Sequence, residues 1–249
     1  KNAYNLYLDL LLNYMGETTR MKVLGISGSP RKSHTTEELV KVVLDATGLE
    51  TELISLHGMT INGCICCLGC IDDNVCKVRD DYIPLMHKVL EADAIVVGAP
   101  NYFGRLNALT HSFLERFYCF RHDKDGHGGM KLSGKIGAIV SVGGGGEWEM
   151  PGRDMKMYDI AGDDIKGFFD YNEIECVGAV AAQGAVACFS CGYGEVCSVS
   201  GVKRFFGEDA KISPEIIPCL EKQPDAMDKA TLLGKALRER LNKNYSEYK

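Results

Sequence analysis

The sequence predicts an α/β fold, a doubly wound parallel sheet of five strands. Three observations carry that expectation. Short apolar runs of strand length recur along the 249 residues. Segments with apolar residues at helical spacing stand between them. The runs end in clusters of small and polar residues. Hydrophobic residues make up 45% of the chain and charged residues 25%, which is ordinary globular usage.

Residues 1–20 read as an N-terminal extension. Its apolar patch at Leu10, Leu11 and Leu12 is interrupted by Asp9, and no run is long enough to span a bilayer. One domain then occupies residues 21–249. Its first strand is 21–26, Met-Lys-Val-Leu-Gly-Ile. A helix follows from about Thr35, with Leu39, Val40, Val43 and Leu44 on one face and Gly48 as its stop. Residues 51–56 form a second strand, followed by a cysteine-rich loop (61–80). A helix over 81–92 carries Pro84 in its first turn, where proline is tolerated. Residues 94–99 are the third strand, 107–120 a helix, 121–134 a polar loop and 136–142 the fourth strand. Residues 147–173 show no clear period and read as a long excursion. A fifth strand near 176–182 and a helix near 226–242, striped with Leu232, Leu233, Ala236 and Leu237, close the chain. Such alternation implies right-handed crossovers. Five strands suit the flavodoxin-like order, in which ligands bind at the carboxyl ends. The loops after strands one, three and four converge there, and the cysteine loop after strand two leaves from the same edge.

The net charge of −6 argues against nucleic acid as a main partner. Eleven cysteines are an odd number, and a domain of this size needs no disulfide staples. Crowded thiols point instead to metal or redox chemistry in a reducing, cytoplasmic compartment.

Four segments carry chemistry. Ser27-Gly28-Ser29-Pro30-Arg31-Lys32-Ser33-His34-Thr35-Thr36 joins a strand to a helix. Its hydroxyls, amides and Arg31 suit a monophosphate; a capped helix start with a solvated Arg-Lys pair is the alternative. Pro100-Asn101-Tyr102-Phe103-Gly104 and Gly143 to Gly146 end two strands. Small residues there let a planar ring approach the backbone, and Tyr102 and Phe103 can wall it. Cys64, Cys67, Cys70 and Cys76 read C-x2-C-x2-C-x5-C, a compact run that suits a 4Fe–4S cluster better than zinc, whose structural sites use two separated pairs. Cys66 is a spare thiol and Cys119 a core residue. Cys188, Cys191 and Cys197 repeat the C-x2-C-x5-C spacing. They either form a second metal site, completed by Cys176, Cys219 or another subunit, or remain plain thiols.

In that order, the phosphate loop, the compact cysteine run and the Ala99-Pro100-Asn101-Tyr102 turn resemble the iron–sulfur flavoproteins, relatives of the NAD(P)H-dependent FMN reductases. The resemblance covers about residues 21–145. It implies a flavodoxin-like fold, one FMN and one 4Fe–4S cluster per subunit, and homodimers or homotetramers. Electrons would pass between a ferredoxin-type or NAD(P)H donor, the cluster, FMN and a small-molecule acceptor. Carried over by motif, Ser27, Ser29, Arg31, Ser33, Thr35 and Thr36 would hold the phosphate. Pro100, Asn101, Tyr102, Phe103 and Gly104 would meet the ring, with Ser141, Gly143, Gly144 and Gly145 on its other side. Cys64, Cys67, Cys70 and Cys76 would ligate iron. The rival readings are an NAD(P)H-dependent FMN or quinone reductase with structural zinc, and an electron carrier or redox sensor without its own substrate. The N-terminal extension, the excursion and the second cysteine group depart from the family pattern.

Overall fold

The computed structural model describes residues 21–122, 130–152 and 154–247. The expected N-terminal extension lies outside the described residues. Five strands form one parallel sheet: β1 (Lys22–Ser27), β2 (Glu50–Ser55), β3 (Ala94–Tyr102), β5 (Ile136–Gly143) and β6 (Glu175–Gln183). Their order is β2-β1-β3-β5-β6, and every neighbouring pair is parallel. This is the flavodoxin-like order expected from the sequence. The two-residue strand β4 (Arg105–Leu106) pairs antiparallel with the end of β3.

Parallel strands are covered on both faces, so their side chains alternate between two cores. Val23, Val96, Val140 and Val180 pack against α1 (Thr35–Thr47) and α6 (Pro224–Glu247) through Leu39, Val43, Leu233 and Leu237. Leu24, Ile26, Ile95 and Ile139 face the other way. They meet α2 (Tyr82–Glu91), α3 (Ala108–Glu115) and α4 (Ile160–Tyr171) through Met86, Phe113, Ile165 and Phe169. The short helix α5 (Gly201–Phe206) lies in the connection between β6 and α6. No helix among the described residues is long and apolar enough to cross a membrane.

Three expectations need correction. The segment 147–173 is not a structureless excursion: it contains α4, which is a core helix. Its apolar residues Ile160, Ala161, Ile165 and Phe169 are buried, but Gly162, Asp163, Asp164 and Gly167 break up the stripe and hide its period. The helix expected over 107–120 is α-helical only to Glu115 and continues as a 3-10 helix over Arg116–Phe120. Strand three runs on through Pro100-Asn101-Tyr102, because Asn101 and Tyr102 pair with Leu106 and Arg105 of β4.

Phe169 is fully buried, and a Cβ on Gly137 of β5 would stand 2.4 Å from its ring. Phe169→Ala should therefore cost about 3–5 kcal/mol, read from the urea midpoint. A loss under about 1 kcal/mol would mean that α4 is not part of the core.

Candidate functional site

The carboxyl ends of β1, β3, β5 and β6 open on a cleft of about 710 Å³, the size of a cofactor site. Its walls include Arg31 from the first loop, Pro100, Asn101, Tyr102 and Phe103 from the end of β3, and Gly144 after β5.

The first loop is fixed before any ligand arrives. Gly28 N donates to Gly98 O at 2.7 Å, and Asn107 Nδ2 donates to Gly28 O at 2.8 Å. The approach is close enough that a Cβ on Gly28 would stand 1.7 Å from Thr110 Oγ1, so only glycine fits there. His57 Nδ1 bonds Pro30 O at 2.6 Å. Ser29 Oγ accepts the Arg31 N–H at 3.1 Å, and Ser33 takes a left-handed backbone at φ 53°. Thr35 and Thr36 are buried at the first turn of α1. Arg31 donates one guanidinium N–H to Ala185 O at 2.9 Å, while its Nε is buried without a partner. Asn101 Oδ1 and Ser27 Oγ are likewise buried and unpartnered. Native folds rarely leave such atoms unsatisfied. A donor and an acceptor orphaned on the wall of one cleft fit a ligand with both phosphate and ring polar atoms.

Phe103 is fully exposed and Tyr102 is 40% exposed. Phe103 and Gly104 form the β3–β4 turn with φ of 53° and 72°. Gly144 faces the cleft, where a Cβ would lie 2.2 Å from Val186 Cγ1. Four expected ring contacts are used elsewhere. Ser141 Oγ donates to Tyr158 O and accepts from Gly162 N at 3.1 Å, which clamps β5 to the start of α4. Gly143 packs on the backbone of Met157 and Tyr158, Gly145 on Met157 and Phe205, and Gly104 on Met150.

The cysteine run Cys64–Cys76 lies in the connection between β2 and α2. Cys64, Cys66 and Cys67 are exposed, Cys70 is buried and Cys76 is half-buried. Burial pushes the Cys70 thiol up, and the charges of Cys76, Cys64 and Cys67 push it further, so the four thiols of the motif act on one another. Cys66 and Leu68 take left-handed backbone. Among the described residues no three His, Cys, Asp or Glu side chains converge on a single-ion site. A cube spreads its ligands over different irons, so its thiols stand farther apart than the ligands of one ion. Beneath the loop lies Arg116, which the sequence reading missed. It is 1% exposed and donates to Cys76 Sγ at 3.1 Å, Asn62 O at 2.9 Å, Asp80 Oδ2 at 2.8 Å and Val78 O at 3.0 Å. Its Nε thus sets a cation against one sulfur of the motif. Cys119, as expected, is a core thiol, pushed by burial up to about 12.

Two cysteines of the second group sit on the cleft itself. Ala185, Cys188 and Cys191 line it together with Arg31 and Phe103. The sequence reading kept this group apart from the pocket. The signal was present, because the loop after β6 leaves from the same carboxyl edge as the others. Cys176 cannot join the group. It lies near the amino end of β6, and at about 3.3 Å per residue the strand carries it about 20 Å from the carboxyl edge where the loop of Cys188 begins.

The family model for NADPH-dependent FMN reductases matches residues 21–149, more than half of the chain. The chain belongs to that family. An iron–sulfur flavoprotein of Methanocaldococcus jannaschii is 40% identical over 126 residues, 49% of this chain and 62% of the relative. One from Methanosarcina thermophila is 33% identical over 127 residues, 50% and 64% of the two chains. The matches thus span just over three fifths of these relatives. Among solved structures, RosB with a bound formylriboflavin phosphate intermediate superposes with a TM-score of 0.60 at 13% identity, covering 91% of this chain and 81% of RosB. An FMN-dependent NADH-azoreductase of Bacillus anthracis gives 0.51 at 14% identity, covering 87% and 99%. These two likenesses are of fold.

Arg116 and Asp80 are a buried ion pair, with side chains 0% and 2% exposed. Burial pushes the Asp80 carboxyl up, but the bonds from Arg116 and from the Asn62 and Tyr82 amides outweigh it and hold it below the usual range. Its stabilisation is present above the ordinary carboxylate pKa and is lost as pH falls through the lowered value. Arg116→Met strands Asp80 and should cost about 3–5 kcal/mol at neutral pH, with the deficit shrinking in acid as Asp80 protonates. Urea titrations at two pH values check both. Equal stability of variant and wild type at neutral pH would remove the pair from the argument.

Proposed function

We propose that this chain is an FMN-dependent oxidoreductase that also carries a 4Fe–4S cluster. It passes electrons between a ferredoxin-type or NAD(P)H donor, the cluster, FMN and a small-molecule acceptor. The observation that carries the reading is the cleft, with an unpartnered Arg31 Nε at the phosphate loop and an unpartnered Asn101 Oδ1 at the end of β3. Membership of the FMN reductase family and the names of the similar archaeal proteins support it.

Ser29, Arg31, Thr35 and Thr36 would hold the phosphate, with Arg31 supplying the charge-assisted bond. Asn101, Tyr102, Phe103 and Gly144 would meet the ring. Phe103 would shield one side of it from water. Cys64, Cys67, Cys70 and Cys76 would ligate the cluster, with Arg116 offsetting its negative charge from below. Bound FMN supplies one- and two-electron chemistry and a cluster supplies single electrons; the protein places and tunes both. Ile65, Leu68 and Ile71 form an exposed apolar rim on the cysteine loop. Such a rim suits contact with a second copy of the chain.

Two variants test the reading on protein purified without oxygen. Cys67→Ala should lose about four irons per chain relative to wild type and keep its FMN. Unchanged iron would defeat the ligand assignment, and zinc in place of iron would favour a reductase with a structural metal. Arg31→Ala should weaken FMN about ten- to a hundredfold, the worth of one charge-assisted bond, and leave riboflavin affinity unaltered. Equal loss for both ligands would take Arg31 away from the phosphate.

A further inference from the structure

The two cysteine runs share more than their spacing. Cys67-Leu68-Gly69-Cys70 continues through four residues to Val75-Cys76-Lys77-Val78, and Cys188-Phe189-Ser190-Cys191 continues through four residues to Val196-Cys197-Ser198-Val199. Both read C-x2-C-x4-V-C-x-V. The first run places a further cysteine, Cys64, three residues ahead of Cys67. The matching position in the second run is Ala185.

Two sulfurs of the second run are held by backbone contacts. Cys188 Sγ accepts the Gly201 N–H at 3.2 Å, and Cys191 Sγ accepts the Tyr193 N–H at 3.4 Å. Cys191 Sγ also reaches Cys188 O at 3.5 Å. Amide bonds to sulfur are among the contacts that tune iron–sulfur sites. The loop carrying these donors is tied down: Ser200 Oγ donates to Gly194 O at 2.5 Å and accepts from Val202 N at 3.1 Å. A Cβ on Gly194 would stand 2.2 Å from Cys188 O, so the loop lies directly on the first cysteine. Ala185, at the place of the missing fourth cysteine, lines the cleft and has its carbonyl held by Arg31.

We propose that Cys188 and Cys191, on the wall of the cleft, and Cys197, which follows them in the same loop, hold a second iron–sulfur cluster. The motif supplies no cysteine for its fourth corner, the matching position being Ala185. A cube bound by three thiolates leaves one iron without a protein sulfur. That iron can take an oxygen, nitrogen or sulfur donor of a small molecule held in the cleft. The position beside a flavin rests on the FMN reading above; the metal content does not.

The test is iron, acid-labile sulfide and FMN per chain after anaerobic reconstitution with ferrous iron and sulfide. It compares the wild type, Cys67→Ala, the double variant Cys188→Ser/Cys191→Ser, and Cys197→Ser as a second, milder lesion. The wild type should carry about eight irons with matching sulfide. Cys67→Ala and the double variant should each lose half and keep FMN, and Cys197→Ser should lose the same half. Iron at the wild-type level in both second-run variants, no iron in Cys67→Ala, zinc bound by the second run, or a Cys188–Cys191 disulfide in the reconstituted protein would each overturn the proposal. If Cys67→Ala keeps all the iron and the double variant loses it all, the first-run assignment falls and this proposal stands. The open corner has its own readout. Imidazole added to reduced Cys67→Ala should shift its EPR signal, and an unshifted signal would overturn that part.

Discussion

Because β1, β3, β5 and β6 are hydrogen-bonded in parallel, their carboxyl ends lie along one edge, and each strand must deliver its chain there before crossing back. The contents of the cleft follow from that constraint. The loop after β1, the Asn101 turn, Gly144 after β5 and the Cys188 loop are distant in sequence and have no reason to meet except that four parallel strands end side by side. Arg31 shows the result at one atom: its guanidinium bonds Ala185, 154 residues away. That bond ties the loop after the first strand to the loop after the last.

The same edge carries the compact cysteine run, but a different device holds it. The loop exposes Cys64, Cys66 and Cys67, takes left-handed backbone at Cys66 and Leu68, and reaches the core through Ile61 and Cys70. Arg116 supplies a further anchor. One guanidinium satisfies Asn62 O and Val78 O on the two flanks of the loop and pairs with Asp80. It also stands over the Tyr82 ring, 4.6 Å from its centroid. A buried ion pair is weak evidence for stability in itself. Here the geometry does something else, since the charge that fixes the loop also reaches Cys76 Sγ. The residue that anchors the loop is also the one that bonds a sulfur of the motif.

The sheet order was legible because it rests on local signals: the runs at Val23–Ile26, Ala94–Val97 and Ile136–Val142 are too apolar and too short for anything but buried parallel strands. That Arg31 and the Asn101–Phe103 turn would lie on one edge was legible for the same reason, since both follow the ends of such strands, and both line the cleft there. Ser141 was misassigned because a serine at a strand end looks the same whether its hydroxyl faces a ligand or closes on Tyr158 O. That choice is made by α4, whose stripe is broken by Gly162 and Gly167. Arg116 was hidden because a charge within Phe113–Phe120 gives no local sign that Asp80, 36 residues earlier, is its partner. The place of Cys188 needed only the rule already applied to the other strands, extended to the fifth.

Phe103 shows how the fold readies a surface for something flat. Its ring is fully exposed, so the protein's own packing gains nothing from it. Its backbone stands at φ 53°, which costs a residue with a Cβ about 1 kcal/mol. The turn persists because its surroundings over-determine it: Asn101 and Tyr102 pair with β4, and Leu106 N donates to Asp164 at the start of α4 at 2.8 Å. A strained turn that displays an aromatic face to water beside a polar-ended cleft is expensive and gains nothing within the free fold. A planar ring covering that face would remove both surfaces from water, a gain of about 25 cal/mol for each Å² buried. The core helix α4, hidden in the sequence, thus reaches the cleft by holding the turn that presents Phe103.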